Sequence, residues 1–285
     1  GDYGTAAQFR MMKVRRMRYL VHVLGAFVLL SWPAAAEGEE KPSAPAEAQS
    51  TKLRAKPAVT LPRGFVDLAR IAPAIRIEMR YATAQNFTGR KVRGYRANRC
   101  ILARPVALAL ARVQLAVRAQ GYDLKVFDCY RPARAVDAFV QWAEGSRSGN
   151  TTKFYYPRIS RKRIIPLGFV ARRSSHSRGT AIDLTLVRAS PGGSRPLTSS
   201  VQRDRAATSC IDGSTTSELD MGTSWDCFDV LSHTYHKGIS ATAKANRKRL
   251  LRAMRAEGFR NYKREWWHFS MSLRRYTRLR DFPIE

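Results

Sequence analysis

The sequence lacks the short motifs that identify several large enzyme classes. It contains no Gly-x-Ser-x-Gly, Ser-x-x-Lys, His-Glu-x-x-His or Gly-x-x-x-x-Gly-Lys pattern. These patterns carry the serine nucleophile of common hydrolases, the metal-binding helix of zincins and the phosphate loop of nucleotide triphosphatases. Histidine is also scarce, with five in 285 residues. Any catalytic site must therefore be built from other combinations of residues.

Acidic residues are in short supply as well. The chain has 22 Asp and Glu residues against 51 Lys and Arg residues, so its formal net charge is +29 at pH 7. Such a balance indicates an anionic environment, which can be nucleic acid, lipid head groups or an acidic cell envelope. The hydrophobic fraction of 44% and the charged fraction of 26% are ordinary for a globular protein, so a disordered or fibrous chain is not expected.

The sequence has no apolar run long enough for a membrane anchor, but a shorter one lies near its N-terminus. Basic residues from Lys13 to Arg18 precede the apolar stretch 19–32, and a segment of small residues ending at Ala36 follows. This order is typical of a secretory signal peptide, whereas a membrane-spanning helix needs roughly 20 apolar residues. We therefore expect residues 11–36 to be a cleaved signal peptide and the protein to be periplasmic or secreted, without a transmembrane anchor.

Export changes the interpretation of the charge. Residues 1–36 hold five basic residues and one acidic residue, which leaves a net charge of about +25 on the rest of the chain. Nucleic acid becomes the poorer explanation of this charge, and electrostatic association with an anionic cell envelope becomes the better one. Residues 37–60 are rich in Ala, Pro, Glu and Lys and predict a disordered linker, and residues 61–285 predict a single domain.

Four cysteines occur after the predicted signal peptide. An even number in an exported chain predicts two disulfides with three possible connectivities, and the absence of Cys-x-x-Cys argues against a cysteine zinc knuckle. Cys100 precedes a predicted helix and Cys129 ends the strand that returns from it, so an antiparallel unit would bring them together. A bridge between Cys210 and Cys227 would fasten a long predicted loop. We therefore expect the pairs Cys100–Cys129 and Cys210–Cys227.

Hydrophobic periodicity predicts three helices and four strands. The helix 105–120 has apolar residues at three- and four-residue steps, with Pro105 at its start and Gly121 after its end. Further helices are predicted at 133–144 and 241–257, strands at 75–80, 124–128, 181–187 and 265–271, and a long loop at 189–217. Helices and strands are mixed without regular β-α-β alternation, which favours an α+β fold over a doubly wound sheet.

Two histidines lie in segments that suggest a metal site. His176 and Asp183 belong to Ser174-Ser175-His176-Ser177-Arg178-Gly179-Thr180-Ala181-Ile182-Asp183, and His268 belongs to Glu265-Trp266-Trp267-His268-Phe269. A hydrolytic zinc needs three protein ligands and an open fourth position, which two His and one Asp can supply. The odd spacing of seven requires a turn between His176 and Asp183, and Gly179 can supply it. Glu265 can face the same site only if its strand begins or bulges nearby.

These segments also resemble a known family, the zinc D-alanyl-D-alanine peptidases, and most closely the D-Ala-D-Ala dipeptidases first associated with vancomycin resistance. The resemblance extends over five blocks in the family's order, namely 81–89, 128–132, 174–186, 220–229 and 265–269. It implies a single α+β domain with a central, mainly antiparallel sheet flanked by helices, as in the D,D-peptidase and hedgehog-like zinc fold. It also implies one zinc ion per chain and a small dipeptide substrate.

The resemblance assigns a role to individual residues. His176, Asp183 and His268 match the zinc ligands, Glu265 matches the catalytic base, and Arg131 matches the residue that stabilises the transition state. Tyr81, Asp128, Ser174 and Asp226 match positions that line the substrate pocket. The mechanism that this implies is hydrolysis by a water molecule activated by zinc and Glu265.

Two other functions remain open on the sequence alone. The chain can be a D,D-carboxypeptidase that trims peptidoglycan stem peptides, or a basic envelope-binding protein that keeps the fold without the activity. Asp226, an acidic residue expected near the substrate's amino end, favours the dipeptidase. The loop 189–217 is longer than expected for the resistance enzymes, and the predicted signal peptide also differs from cytoplasmic members. His233 and His236 are spaced like metal ligands, but we expect them in a loop or behind the ligands.

Overall fold

A five-stranded sheet forms the centre of the computed structural model, which describes residues 60–145, 154–190, 208–212 and 218–285. Its strands are β2 (Arg76–Ile77), β4 (Tyr122–Asp128), β5 (Ala181–Arg188), β6 (Arg260–Asn261) and β7 (His268–Ser270), in the order β2-β4-β5-β7-β6. The pair β2 and β4 is parallel, and the other neighbouring pairs are antiparallel. A separate antiparallel pair is made by β1 (Phe65–Asp67) and β3 (Ile101–Ala103).

Four helices accompany the strands in the described residues: α1 (Leu68–Ile71), α2 (Arg104–Arg118), α3 (Ala133–Glu144) and α4 (Ala241–Ala256). Helix α2 begins beside Pro105 and buries Val106, Leu110 and Val113 at helical spacing, as its sequence predicts. Gly121, just beyond its end, has a φ of 82°, which glycine adopts at little cost. The mixed α and β character predicted from the sequence is confirmed.

The described residues belong to one compact unit, Lys56–Glu285. The predicted signal peptide 11–36, nearly all of the predicted linker 37–60 and most of the loop 189–217 lie outside the described residues. In the part of the chain that the structure does describe, no helix combines the length and the apolar character needed to cross a bilayer.

The strand predicted at 75–80 is wrong in its length and in its polar face. Only Arg76–Ile77 is a strand, and a short 3₁₀ helix follows from Arg80 to Ala82. Glu78 and Arg80, which the alternating pattern assigns to solvent, are buried and lie 2.7 Å apart (Oε1 to Nε). Each is also paired with one of two further charged side chains with little exposure, Lys125 and Glu218. Alternation of polar and apolar residues therefore does not predict which side chains are exposed in this segment.

The strand predicted at 265–271 is also shorter than its pattern. Residues 266–267 form a turn, and the regular strand β7 begins at His268. The amide of His268 donates to the carbonyl of Glu265 at 3.3 Å, which closes this turn. The two tryptophans of the segment are buried, so their aromatic character reflects packing rather than extended pairing.

Two disulfides join Cys100 to Cys129 and Cys210 to Cys227, the pairs favoured by the sequence, and none of the four cysteines is free. The first bridge connects the residue before β3 to the residue after β4. The second connects the described segment 208–212 to the loop that carries Asp226. Both bridges thus fasten segments that lie directly beside predicted site residues.

Candidate active site

The residues predicted to bind a metal ion come from three neighbouring elements. His176 lies in a short 3₁₀ helix, Ser175–Arg178, whose first turn is capped by the Ser174 side chain accepting from the His176 amide at 3.2 Å. Gly179 ends this helix with a φ of 69°, and a Cβ there would lie 2.4 Å from the Phe65 ring. The chain can reverse at this point only because the residue is glycine, and this reversal brings Asp183 back toward His176.

The sheet then positions the other two groups. Asp183 on β5 is paired in register with His268 on β7, so the two side chains leave adjacent strands on the same face. His268 Nδ1 lies 3.0 Å from Asp183 Oδ1 and 3.1 Å from His176 Nε2, and His176 Nε2 lies 3.2 Å from Asp183 Oδ1. The ligand atoms of the three residues all lie within 4.8 Å of one another, so this group could hold a metal ion.

Contacts outside the cluster orient the His176 ring. Its Nδ1 lies 2.6 Å from the backbone carbonyl of Cys129, which can only accept a hydrogen bond. Nδ1 therefore carries the proton, and the lone pair of Nε2 faces Asp183 and His268, as a metal ligand requires. Because the carbonyl belongs to a disulfide-bonded residue after β4, the bridge to Cys100 also limits its movement.

The protonation directions agree with such a cluster. Burial lowers the pKa of His268 and outweighs the opposite effect of Asp183, which favours the neutral imidazole. Although burial opposes ionisation, the two neighbouring imidazoles hold the pKa of Asp183 well below its usual range. Neutral histidines and an ionised aspartate are the forms that bind zinc.

Arg131 follows β4 and is held by two carboxylates and two aromatic rings. Its Nε and Nη2 atoms each lie 2.8 Å from Asp128 Oδ2, and its Nη2 lies 3.6 Å from Asp183 Oδ2. The guanidinium also packs against the rings of Tyr81 and Phe139, at 5.3 and 5.0 Å from their centroids. This places a fixed positive charge beside the metal-ligand cluster.

Asp128 occupies a different place from the pocket-lining position that the resemblance implies. It is fully buried behind Arg131, where it also accepts from the Tyr95 hydroxyl at 2.5 Å and from the Cys129 amide at 3.0 Å. Burial raises the pKa of Asp128 despite the opposing effect of Arg131. In this geometry Asp128 positions Arg131 rather than contacting a bound molecule.

Glu265 reaches the cluster because β7 begins only at His268. Its Oε2 lies 3.9 Å from His268 Nδ1, and the residue is 9% exposed. Burial, together with the negative charges of Asp183 and Asp226, raises the pKa of Glu265 well above its usual range. A raised pKa of this kind, caused by burial and by neighbouring carboxylates, is a feature of carboxyl groups that act as general acids or bases.

Asp226 and Tyr81 form a second polar pair in the site. The Tyr81 hydroxyl donates to Asp226 Oδ2 at 2.6 Å, and both residues are buried. Among the described residues, Asp226 is the one non-glycine with a positive φ, at 61°. Backbone strain of this kind is concentrated at functional sites. The disulfide at the next residue, Cys227, helps to hold this conformation.

These groups face one cavity of about 240 Å³, termed the catalytic cavity. Of the nine predicted catalytic, metal and substrate-binding residues, all except Asp128 line it. Its volume is below the range typical of drug-sized ligands, so it suits a smaller molecule. His233 and His236 lie outside it, as expected for loop residues.

The cavity wall also contains residues that the sequence analysis did not identify, notably Phe169, Arg173 and Tyr262. Arg173 is exposed and immediately precedes the Ser174–Asp183 motif, and this position was the one available signal for it. Phe169 lies in a segment without regular periodicity, so no pattern in the sequence singles it out.

Comparison with known proteins gives consistent matches. The peptidase M15 family model described as D-ala-D-ala dipeptidase matches residues 62–195 and 194–281. The D-alanyl-D-alanine dipeptidase of Enterococcus faecium is 38% identical over 223 residues, which is 78% of this chain and 98% of the relative. The D-alanyl-D-alanine dipeptidase of Enterococcus faecalis is 38% identical over 208 residues, which is 73% of this chain and 91% of the relative. The D-alanyl-D-alanine dipeptidase of Escherichia coli is 32% identical over 207 residues, which is 73% of this chain and 84% of the relative.

Proposed function

Because the chain belongs to the peptidase M15 family described as D-ala-D-ala dipeptidase, we propose that it hydrolyses the dipeptide D-alanyl-D-alanine in the catalytic cavity. The observation that carries this proposal is the convergence of His176, Asp183, His268 and Glu265 on one small cavity. The family is metal-dependent, and the cluster provides a donor set for one metal ion.

The donor set fits zinc. Two imidazole nitrogens and one carboxylate oxygen are a common zinc-binding combination in hydrolytic enzymes, and they leave a fourth position open. When bound, zinc lowers the pKa of a water molecule to about 7 and polarises the carbonyl group that is attacked. His176, Asp183 and His268 would hold it, with the His176 ring already oriented by the Cys129 carbonyl.

Glu265 is positioned to act as the general base. It lies beside the ligand cluster without belonging to it, and its elevated pKa matches a group that takes a proton and later returns it. In the proposed reaction Glu265 accepts a proton from the attacking water and delivers it to the leaving amine. The turn 266–267 is what aims this carboxylate into the cavity.

Arg131 would stabilise the negative charge that develops on the carbonyl oxygen. Its guanidinium is anchored by Asp128 and by two aromatic rings, so little reorganisation is needed during the reaction. A charge fixed in advance in a buried site contributes more than a mobile one in water.

The charged residues of the cavity wall suit a zwitterion. The dipeptide carries an ammonium group and a carboxylate, and the buried Asp226 can receive the first. Arg173, an exposed cation on the cavity wall, can receive the second. Binding of the ammonium group by Asp226 would favour the free dipeptide over a longer stem peptide, because a stem peptide has no free amine at that position.

The protein is proposed to act outside the cytoplasm, as a periplasmic or secreted enzyme of cell wall metabolism. The signal-peptide pattern at 11–36 supports export. The pairing of all four cysteines also supports it, because disulfides persist in oxidising compartments. The excess positive charge is proposed to promote association with an anionic cell envelope.

The deciding experiment compares substrates side by side by mass spectrometry. Zinc-loaded protein should release D-alanine from D-Ala-D-Ala, should leave L-Ala-L-Ala intact, and should act much more slowly on a stem pentapeptide. Faster release from the pentapeptide would instead identify a D,D-carboxypeptidase. No release from either substrate, with zinc bound, would identify a protein that has lost the activity.

A further inference from the structure

A second cavity lies away from the catalytic residues, between α4 and the loop Thr234–Lys237. It has a volume of about 610 Å³ and is termed the α4 groove. The groove is lined by the loop and by one face of α4, namely Lys244, Arg247, Lys248, Leu251, Arg252 and Arg255. It shares none of its lining residues with the catalytic cavity, so the proposed hydrolysis leaves it without a role.

The spacing along α4 produces a regular row of cations. Lys244, Lys248 and Arg252 are four residues apart and exposed, so they follow one another on the same face of the helix. At 1.5 Å per residue their Cα atoms rise by about 6 Å from one to the next. Arg255 and Lys237 are also exposed and continue the positive surface at the two sides.

A buried arginine of the groove ties α4 to Met221 and to the segment 231–233, which leads into the loop Thr234–Lys237. Arg247 is 3% exposed and donates to three backbone carbonyls, those of Met221 and His233 at 2.7 Å and that of Leu231 at 2.9 Å. Burial lowers the pKa of Arg247 to about 10, so it keeps its charge at neutral pH. The backbone that carries this side of the groove is therefore held by buried contacts of the fold.

Within the described residues, acidic side chains offset little of the positive charge of the groove, and one of them, Asp220, acts on the buried Arg247. None of the lining residues is acidic. Acidic side chains of the same region have other partners: Asp220 accepts from the Ser240 hydroxyl, Asp229 pairs with Arg158, and Glu257 pairs with Arg112. Lys244, Lys248 and Arg252 have no ion-pair partner within the described residues, whereas Arg255 donates to the Tyr235 hydroxyl at 2.8 Å. These cations lie around a floor that includes Leu251, which is 7% exposed.

We propose that the α4 groove binds a linear polymer with repeated phosphate groups on sugar or polyol units, as an anionic envelope polymer would carry. A row of cations at regular steps matches repeated charges along a chain better than a single anion. The concave shape admits a chain, whereas a flat bilayer surface would meet only its rim. Lys and Arg both bind phosphate oxygens, and the exposed ring of Tyr235 offers an apolar surface for the uncharged units. The groove would give the proposed envelope association a defined location.

The test measures binding of a fluorescent oligomer of glycerol phosphate to the intact zinc-loaded protein. Lys244→Gln, Lys248→Gln and Arg252→Gln, combined, should weaken binding on the order of tenfold, because exposed ion pairs each contribute modestly. The matched control combines Arg63→Gln, Arg70→Gln and Arg104→Gln, three exposed arginines that do not line the groove. This control removes the same charge and should change binding by less than about twofold.

Circular dichroism and thermal unfolding serve as the independent measures of folding, and both triple variants should keep the spectrum, the melting temperature and the hydrolysis of D-Ala-D-Ala. Equal weakening by the two variants would show a general charge effect and overturn the proposal. Tighter binding to single-stranded DNA of equal charge, or to phosphatidylglycerol vesicles, would overturn it as well. Absence of dipeptide hydrolysis with groove-dependent binding intact would refute only the proposed enzymatic function.

Discussion

At the scale of single residues, the contacts of Arg131 distinguish it from the many other arginines of the chain. Its positive charge is held by Asp128 and packs against two neighbouring aromatic rings. Arg131→Lys keeps the charge but loses the planar, two-point contact with Asp128. We expect kcat for D-Ala-D-Ala to fall on the order of 10²-fold with a smaller change in KM. Arg134→Lys, at an exposed arginine paired with Asp281, is the control and should keep normal turnover.

Glu265 separates metal binding from chemistry. Glu265→Gln removes the proton-accepting group while leaving the three proposed ligands in place, so zinc content measured by mass spectrometry should stay near one per chain. Activity should fall by about 10²–10⁴-fold, as is typical for loss of a general base. His268→Ala should instead lose zinc after dialysis. A Glu265→Gln protein with undiminished turnover would remove this residue from the mechanism.

Arg173 tests how the carboxylate end of the substrate is recognised. Arg173→Gln should raise KM for D-Ala-D-Ala on the order of tenfold, because an exposed charge pair contributes up to about 1 kcal/mol and a partly enclosed one contributes more. The C-terminal amide of the dipeptide lacks the carboxylate, so the KM for this amide should be nearly the same in Arg173→Gln and in the unchanged protein. The neighbouring Arg172 pairs with Glu144 outside the cavity, and Arg172→Gln should affect neither substrate.

Site residues could be predicted from the sequence where they belong to a recognisable motif, and could not be predicted outside such motifs. The blocks resembling D-Ala-D-Ala peptidases placed His176, Asp183 and His268 in one site, and the structure brings them together. Spacing alone could not show how Glu265 reaches them, because that depends on where β7 begins. Arg173 was missed because its one signal was its position directly before the Ser174–Asp183 motif, and exposed arginines are common in a strongly basic chain.

At the scale of secondary-structure elements, a buried ion cluster joins the segment after β2 to β4. Lys125 Nζ lies 2.5 Å from Glu78 Oε2 and 3.0 Å from Glu218 Oε1, and Arg80 completes the cluster above the Phe127 ring. Arg80 directly precedes Tyr81, so this cluster supports the wall of the catalytic cavity that carries the Tyr81–Asp226 pair.

This cluster should make stability depend on pH. Burial opposes ionisation of Glu78, but Arg80 and Lys125 outweigh it and lower the pKa of Glu78 below its ordinary value. The stabilisation is therefore present above the unfolded-state pKa and is lost as pH falls through the lowered folded-state pKa. Glu78→Gln should reduce the free energy of unfolding by about 3 kcal/mol at neutral pH, because it leaves buried cations short of a partner.

Urea unfolding of Glu78→Gln and of the unchanged protein, repeated from neutral pH down to the acid limit of folding, measures this effect. The difference between the two should shrink below the lowered pKa of Glu78. Glu257→Gln, which breaks a more exposed pair with Arg112, should change stability by less than about 1 kcal/mol. A Glu78→Gln difference that stays constant over the whole range would show that the carboxylate charge is not responsible.

Helices were predicted better than strands for a physical reason. In α2, α3 and α4 the apolar residues recur with the helical period, because one face of each helix packs against the rest of the fold. Strands β1 and β3 have three residues each and were missed, because so short a run shows no periodicity. Glu78 and Arg80 alternate with apolar residues as solvent-facing residues of a strand would, but they form a buried ion pair. The alternation therefore predicted exposure wrongly.

At the scale of the whole molecule, the net charge of +29 should affect binding of an anionic polymer but not capture of the proposed dipeptide substrate. The dipeptide is a zwitterion without net charge, so the field of the protein should contribute little to its capture. We expect kcat/KM for D-Ala-D-Ala to change by less than about twofold between low and high salt, because short-range contacts in the cavity are weakly screened. Binding of a phosphate-bearing polymer to the α4 groove should weaken steeply over the same range. Steady-state kinetics and polymer binding, measured in the same salt series, test both expectations. A steep loss of dipeptide turnover with salt would mean that the charge acts on the substrate itself, and an acidic polymer would then replace the dipeptide as the substrate.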